Sequence, residues 1–170
     1  MSRIPLITER DELAGDGRVV FDRIVESRGT IVRPFEVLLH SPAIADRVAA
    51  LGHVIRSGSR LTVADRELIT LATGRAQGCA FVWESHETAA REAGIAPGTI
   101  AALEGGGPGL GAREGTLVSF VNELCGTGSV SDETFRGAHD LLGTTAVVEM
   151  TLTVGYYTML GYTMGAVEAC

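Results

Sequence analysis

Residues able to move protons or electrons gather in one stretch of the 170-residue chain, residues 64–95, where Glu67, Cys79 and His86 stand with Trp83. Cys79, Trp83 and His86 recur at i, i+4 and i+7, which is one stripe of a helix, and Val82 lies beside it at i+3. Glu67 shares a stripe of the preceding helix with Ala64, Leu68 and Leu71, so its carboxylate leans toward an apolar side. A buried carboxylate that reaches an imidazole can hold and release a proton near neutral pH. These spacings make Glu67, Cys79 and His86 the candidate catalytic residues, with Val82 and Trp83 lining a substrate pocket. Plainer roles remain for each. A cysteine on an apolar helix face is commonly a packed small hydrophobe, although a place near a helix start favours its thiolate. Trp83 is equally suited to a core, and Glu67 to an ion pair with Arg66 or Arg75.

Other chemistries lack their residues. There is no CxxC pair, no HxxxH or HExxH, and no paired Cys/His spacing, so neither a dithiol motif nor a metal site is expected. His40, His53 and His139 stand apart and read as structural. The glycine-rich stretch at 104–111 follows no strand, which excludes a nucleotide loop, and no cofactor is expected. A net charge of −7 argues against a nucleic-acid partner. Three cysteines, Cys79, Cys125 and Cys170, do not make a disulfide framework, and a reducing cytoplasm is the simplest compartment. The first residues lack a charged start followed by an apolar core, so no signal peptide is expected.

Helices must position the site. Thr62 is a cap for the helix carrying Glu67, with Asp65 in its first turn, where the helix dipole favours a negative charge. A tight joint at 74–78 makes the next helix, 79–93, an antiparallel neighbour, which brings His86 toward Glu67. Upstream, helices are expected over 9–27, over 34–40, and over 42–57 behind a Ser41 cap and Pro42, the last with Ile44, Val48, Leu51 and Ile55 at helical spacing. Downstream come a short turn at 97–103, a flexible link, and helices over 113–124 and 131–142. Gly143 then breaks the chain before the last helix. Residues 144–167 are long and apolar enough to raise a membrane span, but they hold Glu149, several threonines and Tyr156–Tyr157. A core or subunit-interface helix is expected instead, with no membrane partner. The class is all-α: one domain over 1–170, with a core motif at 60–104, a flexible link at 104–112 and C-terminal helices at 113–167.

The sequence ADRELITLATGRAQGCAFVWESHETAAREAGI resembles the carboxymuconolactone decarboxylase family, which includes the alkylhydroperoxidase D proteins. The shared pattern is a glutamate on one helix, a second helix opening with cysteine or a polar residue, a histidine one to two turns on, then alanines and Ala-Gly-Ile. Here these are Glu67, Cys79, His86, Ala89, Ala90 and Ala93-Gly94-Ile95, with further matches at Arg33-Pro34, His40-Ser41-Pro42, Leu51-Gly52 and Val130-Ser131-Asp132. The resemblance implies an alkylhydroperoxidase D-like helical bundle that assembles with itself as a trimer or hexamer, a dimer being the further option, and acts on a small molecule. It also implies two chemistries. Peroxidase members use Cys-x-x-Cys with glutamate and histidine moving protons, but here Val82 stands three residues after Cys79. Cys125 or Cys170 replaces the missing thiol only if folding or assembly brings it close. Decarboxylase members need no pair. The expected function is a cofactor-free acid/base lyase or isomerase acting on a small cyclic or carbonyl-bearing acid. The alternatives are a single-cysteine thiol peroxidase using Cys79 and a non-catalytic oligomeric binding protein.

Overall fold

The computed structural model describes residues 2–170. Among the described residues there are eight α-helices, the last of them broken within its length, and no strand; the all-α class is the one the sequence pattern predicts. The chain divides into two compact units: the residues up to Gly58 together with Tyr162–Cys170, and Ser59–Gly161.

In the first unit the helix expected over 9–27 is split. A 3-10 turn, Arg10–Glu12, is closed by the Glu12 carboxylate, which accepts the Thr8 and Glu9 N–H groups at 2.8 Å each. Gly15, at φ +51°, then turns the chain into α1 (Asp16–Arg28), a backbone conformation cheap only for glycine. Next come α2 (Arg33–Leu38) and α3 (Pro42–Ser57), both with proline in the first turn. Pro42 carries the start of α3 without the expected Ser41 side-chain cap. The buried face of α3 runs along Ala45, Ala49 and Gly52. These small residues let α3 lie close to α1, so Val48 and Ile55 are buried at the edge of that face while Ile44 and Leu51 turn outward.

The second unit is built around α4 (Val63–Ala76), which packs against α5 (Ala80–Glu92), α6 (Pro97–Glu104) and α7 (Ala112–Thr127). Thr62 caps α4 by accepting the Asp65 N–H at 3.1 Å. Every residue from Glu67 to Gly74 is buried. A helix buried on all sides must satisfy its own polar groups, and Thr70 and Thr73 do so by donating to the carbonyls of Arg66 and Ile69 at 2.9 and 2.7 Å. Leu68, Leu71 and Ala72 of α4 meet Ala90 of α5, Ile100 and Leu103 of α6, and Leu117 and Val121 of α7 in one apolar cluster. Met150 and Val154 join it from α8 (Asp132–Ala166), which breaks at Gly143, φ +76°, where the sequence predicts. The helix expected over 113–124 runs to Thr127 and is closed by left-handed Gly128. Among the described residues no helix is long and apolar enough to cross a membrane.

Candidate active site

The joint between α4 and α5 sets the geometry. A side-chain carbon on Gly74 would lie 2.8 Å from Val82 Cγ1, closer than real contacts allow, so the two helices approach through a glycine. Gly78, at φ +63°, reverses the chain, and the Cys79 N–H donates to the Gly74 carbonyl at 3.0 Å. Cys79 is thereby the residue before α5 rather than its first helical residue. It is buried, and its sulfur is disulfide-bonded, not the unmodified thiol of the single-cysteine alternative.

Beside this joint lies a cavity of about 280 Å³, walled by Gly74, Cys79 and Trp83 and rimmed by Arg75, Glu84 and Glu104. Trp83 lines it and also packs against the apolar cluster. Val82, expected on the pocket wall, is packed against Gly74 instead, because i+3 points it at the close helix crossing.

One turn further along α5 the structure brings Glu67 and His86 together: Glu67 Oε2 accepts from His86 Nδ1 at 2.8 Å. The other oxygen, Oε1, accepts from Arg66 Nη2 at 3.1 Å and Nε at 3.3 Å. Glu67 is therefore both an ion-pair partner and a histidine partner. Its side chain is 7% exposed and that of His86 21%, so the carboxylate is enclosed while the imidazole keeps an opening. Burial pushes the Glu67 carboxyl up, but the hydrogen bond and charge of His86, with the charge of Arg66, outweigh it and hold the group below the ordinary carboxylate value. An ionised carboxylate only accepts, so the proton of this bond sits on Nδ1, and Nε2 takes no part in it. Glu67 and His86 do not line the Cys79–Trp83 cavity.

Two further residues complete the cluster. Tyr157 of α8 meets the His86 ring edge to face, with centroids 5.0 Å apart, and Tyr156 packs against Tyr157 in the same manner at 5.3 Å. The signal for Arg66 is its place next to Glu67. Tyr157 lies seventy-one positions beyond His86, and no spacing rule links them. Among the described residues no group of three His, Cys, Asp or Glu side chains is arranged to hold a metal ion.

Residues 42–107 match the carboxymuconolactone decarboxylase family. No curated protein matches the chain. Among solved structures, the alkylhydroperoxidase AhpD core of a peroxidase-related protein from Ralstonia eutropha JMP134 superposes with a TM-score of 0.79 at 18% identity, covering 99% of this chain and 91% of that one. The debrominase Bmp8, in a cysteine-to-alanine form with 2,3,4-tribromopyrrole, gives 0.79 at 14% identity, covering 100% and 93%. A protein of unknown function from Agrobacterium tumefaciens, described as a candidate antioxidant defence protein AhpD, gives 0.68 at 21% identity, covering 78% and 93%. At such identities the likeness is one of fold. The chain has the fold of the alkylhydroperoxidase D proteins, and its residues 42–107 match the carboxymuconolactone decarboxylase family, with Val82 standing three residues after Cys79.

Proposed function

We propose that this protein is an acid/base catalyst of the carboxymuconolactone decarboxylase type, a lyase or isomerase acting without a cofactor on a small cyclic or carbonyl-bearing acid. The observation that carries this reading is the 2.8 Å bond between enclosed, ionised Glu67 and the more open His86. Glu67 holds the imidazole by Nδ1 and answers its charge when Nε2 is protonated. Nε2 then takes a proton from a carbon next to a carbonyl, or returns one to the enolate that forms. In a decarboxylation the bond to the carboxylate breaks, its electron pair becomes the enolate, carbon dioxide leaves, and imidazolium protonates the carbon. Trp83 and Cys79 supply the wall of an apolar cavity large enough for a small ring. Such proton transfer contributes roughly a hundred- to ten-thousand-fold in rate. In a screen of lactones and β-keto acids, His86→Ala abolishes turnover while the circular dichroism spectrum and oligomeric state stay unchanged. An unimpaired His86→Ala enzyme would overturn the proposal.

The same reading carries self-assembly as a trimer or hexamer. It is supported by Val148, Leu152 and Met159, apolar side chains exposed four and seven residues apart on α8.

A second reading, thiol peroxidase chemistry, is favoured by Cys79 itself, whose sulfur is disulfide-bonded at the cavity wall. Reduced Cys79 would attack a hydroperoxide oxygen, breaking the O–O bond to give a sulfenic acid and an alcohol. A second thiol would then condense with it, releasing water and leaving a disulfide. Peroxide consumption with excess small thiol, lost in Cys79→Ser, would establish this chemistry; equal consumption by both proteins would exclude it.

A further inference from the structure

Residues one apart on a helix ordinarily project to different sides. Arg66 nevertheless folds its guanidinium back onto Glu67, and two of its N–H groups converge on Oε1 at 3.1 and 3.3 Å. Oε2 is thus reserved for His86 Nδ1 at 2.8 Å. The Arg66 side chain is 11% exposed, so little water screens it from the carboxylate it touches. The hydroxyl of Thr70 also ties down the Arg66 carbonyl one turn on, at 2.9 Å, fixing the backbone from which the side chain springs.

We propose that Arg66 is a positioning residue for the acid/base pair. By occupying Oε1 it fixes the plane of the carboxylate and leaves one oxygen for the imidazole, and its charge offsets part of the negative charge that would stabilise imidazolium. This inference rests on the reading of His86 as the group that moves protons. Among the described residues, Glu67, backed by Arg66, faces His86 from α4 and Tyr157 faces it from α8. On α5 itself the nearby Glu87 is taken by Arg91 at 2.6 Å. Tyr157 meets the imidazole through its ring, and Arg66 is the cation that shares the Glu67 carboxylate with it.

The test is the titration of His86 followed by NMR in the full-length protein, its signal assigned by its disappearance in His86→Gln. With Arg66→Gln the titration midpoint moves up relative to wild type, because the carboxylate facing the imidazole is no longer shared with a cation. With Arg66→Lys, which keeps a charge but loses the fork, it moves in the same direction by less. A midpoint that is unchanged or lowered in folded Arg66→Gln overturns the proposal. If that variant does not fold, Arg66→Lys decides by the same criterion. A merely structural role would lower thermal stability without moving the midpoint. The titration needs no substrate, so its outcome is separable from that of the proposed function. A shift in a protein that turns nothing over would sink the catalytic reading and leave the control of His86 by Arg66 intact. An active enzyme with no shift would remove Arg66 alone.

Discussion

The first turn of α4 and the turn that follows it each bury a carboxylate against an arginine, yet the two are prepared for different tasks. Asp65 is fully committed: Arg113 grips both oxygens, Nη2 at 2.8 Å and Nε at 3.2 Å, and the Thr62 hydroxyl donates to the same Oδ2 at 2.8 Å. None of these partners changes charge near neutral pH. Glu67 gives one oxygen to an arginine and the other to an imidazole, which does. Burial and an arginine are therefore shared by a fastening and by the carboxylate we propose as half of the acid/base pair. The difference lies in whether one partner can gain or lose a proton.

Neutralising each carboxylate in turn tests that distinction. Glu67→Gln keeps the shape but removes the charge that answers imidazolium, and turnover falls by roughly a hundred- to ten-thousand-fold. Asp65→Asn leaves turnover within a few-fold but lowers stability by about 1–2 kcal/mol, a value discounted because Arg113 is 44% exposed. Urea unfolding beside steady-state kinetics on both variants reads the two effects. If Asp65→Asn costs activity as heavily as Glu67→Gln, the contrast fails.

A finer test uses acid. The folded value of the Glu67 carboxyl is depressed, so its contribution to stability is complete above the unfolded carboxylate value of about 4.3 and is lost as pH falls through the lower folded value. Wild-type stability therefore declines more steeply below about pH 4.3 than that of Glu67→Gln. Parallel slopes would show that Glu67 is not held ionised by its partners.

Much of this arrangement is legible in the sequence because it depends on local spacing. Thr62 ahead of Asp65, proline at the start of α2 and α3, the break at Gly143 and the joint at 74–78 are each set by neighbours a few residues away. The approach of Glu67 to His86 follows from a short joint between two helices. Where the pattern misleads, packing from elsewhere decides. Ile44 and Leu51 look like core residues until the smaller Ala45, Ala49 and Gly52 draw α3 close and rotate them outward. Val82 has the character of a pocket residue, but the helix crossing claims it. The return of Arg66 onto its own neighbour runs against the usual divergence of adjacent side chains, and Tyr157 comes from a distant helix.

Gly74 has no side chain of its own to do chemistry with, yet it sets how closely α4 and α5 can lie. Val82 occupies the space where any other residue at 74 would carry its first side-chain carbon, so even alanine asks α5 to move relative to α4. Glu67 and His86 stand on those two helices with a single short bond between them. An ordinary mutation at Gly74 would thus shift Glu67 against His86 without altering either residue: what holds the pair in register is the absence of a side chain.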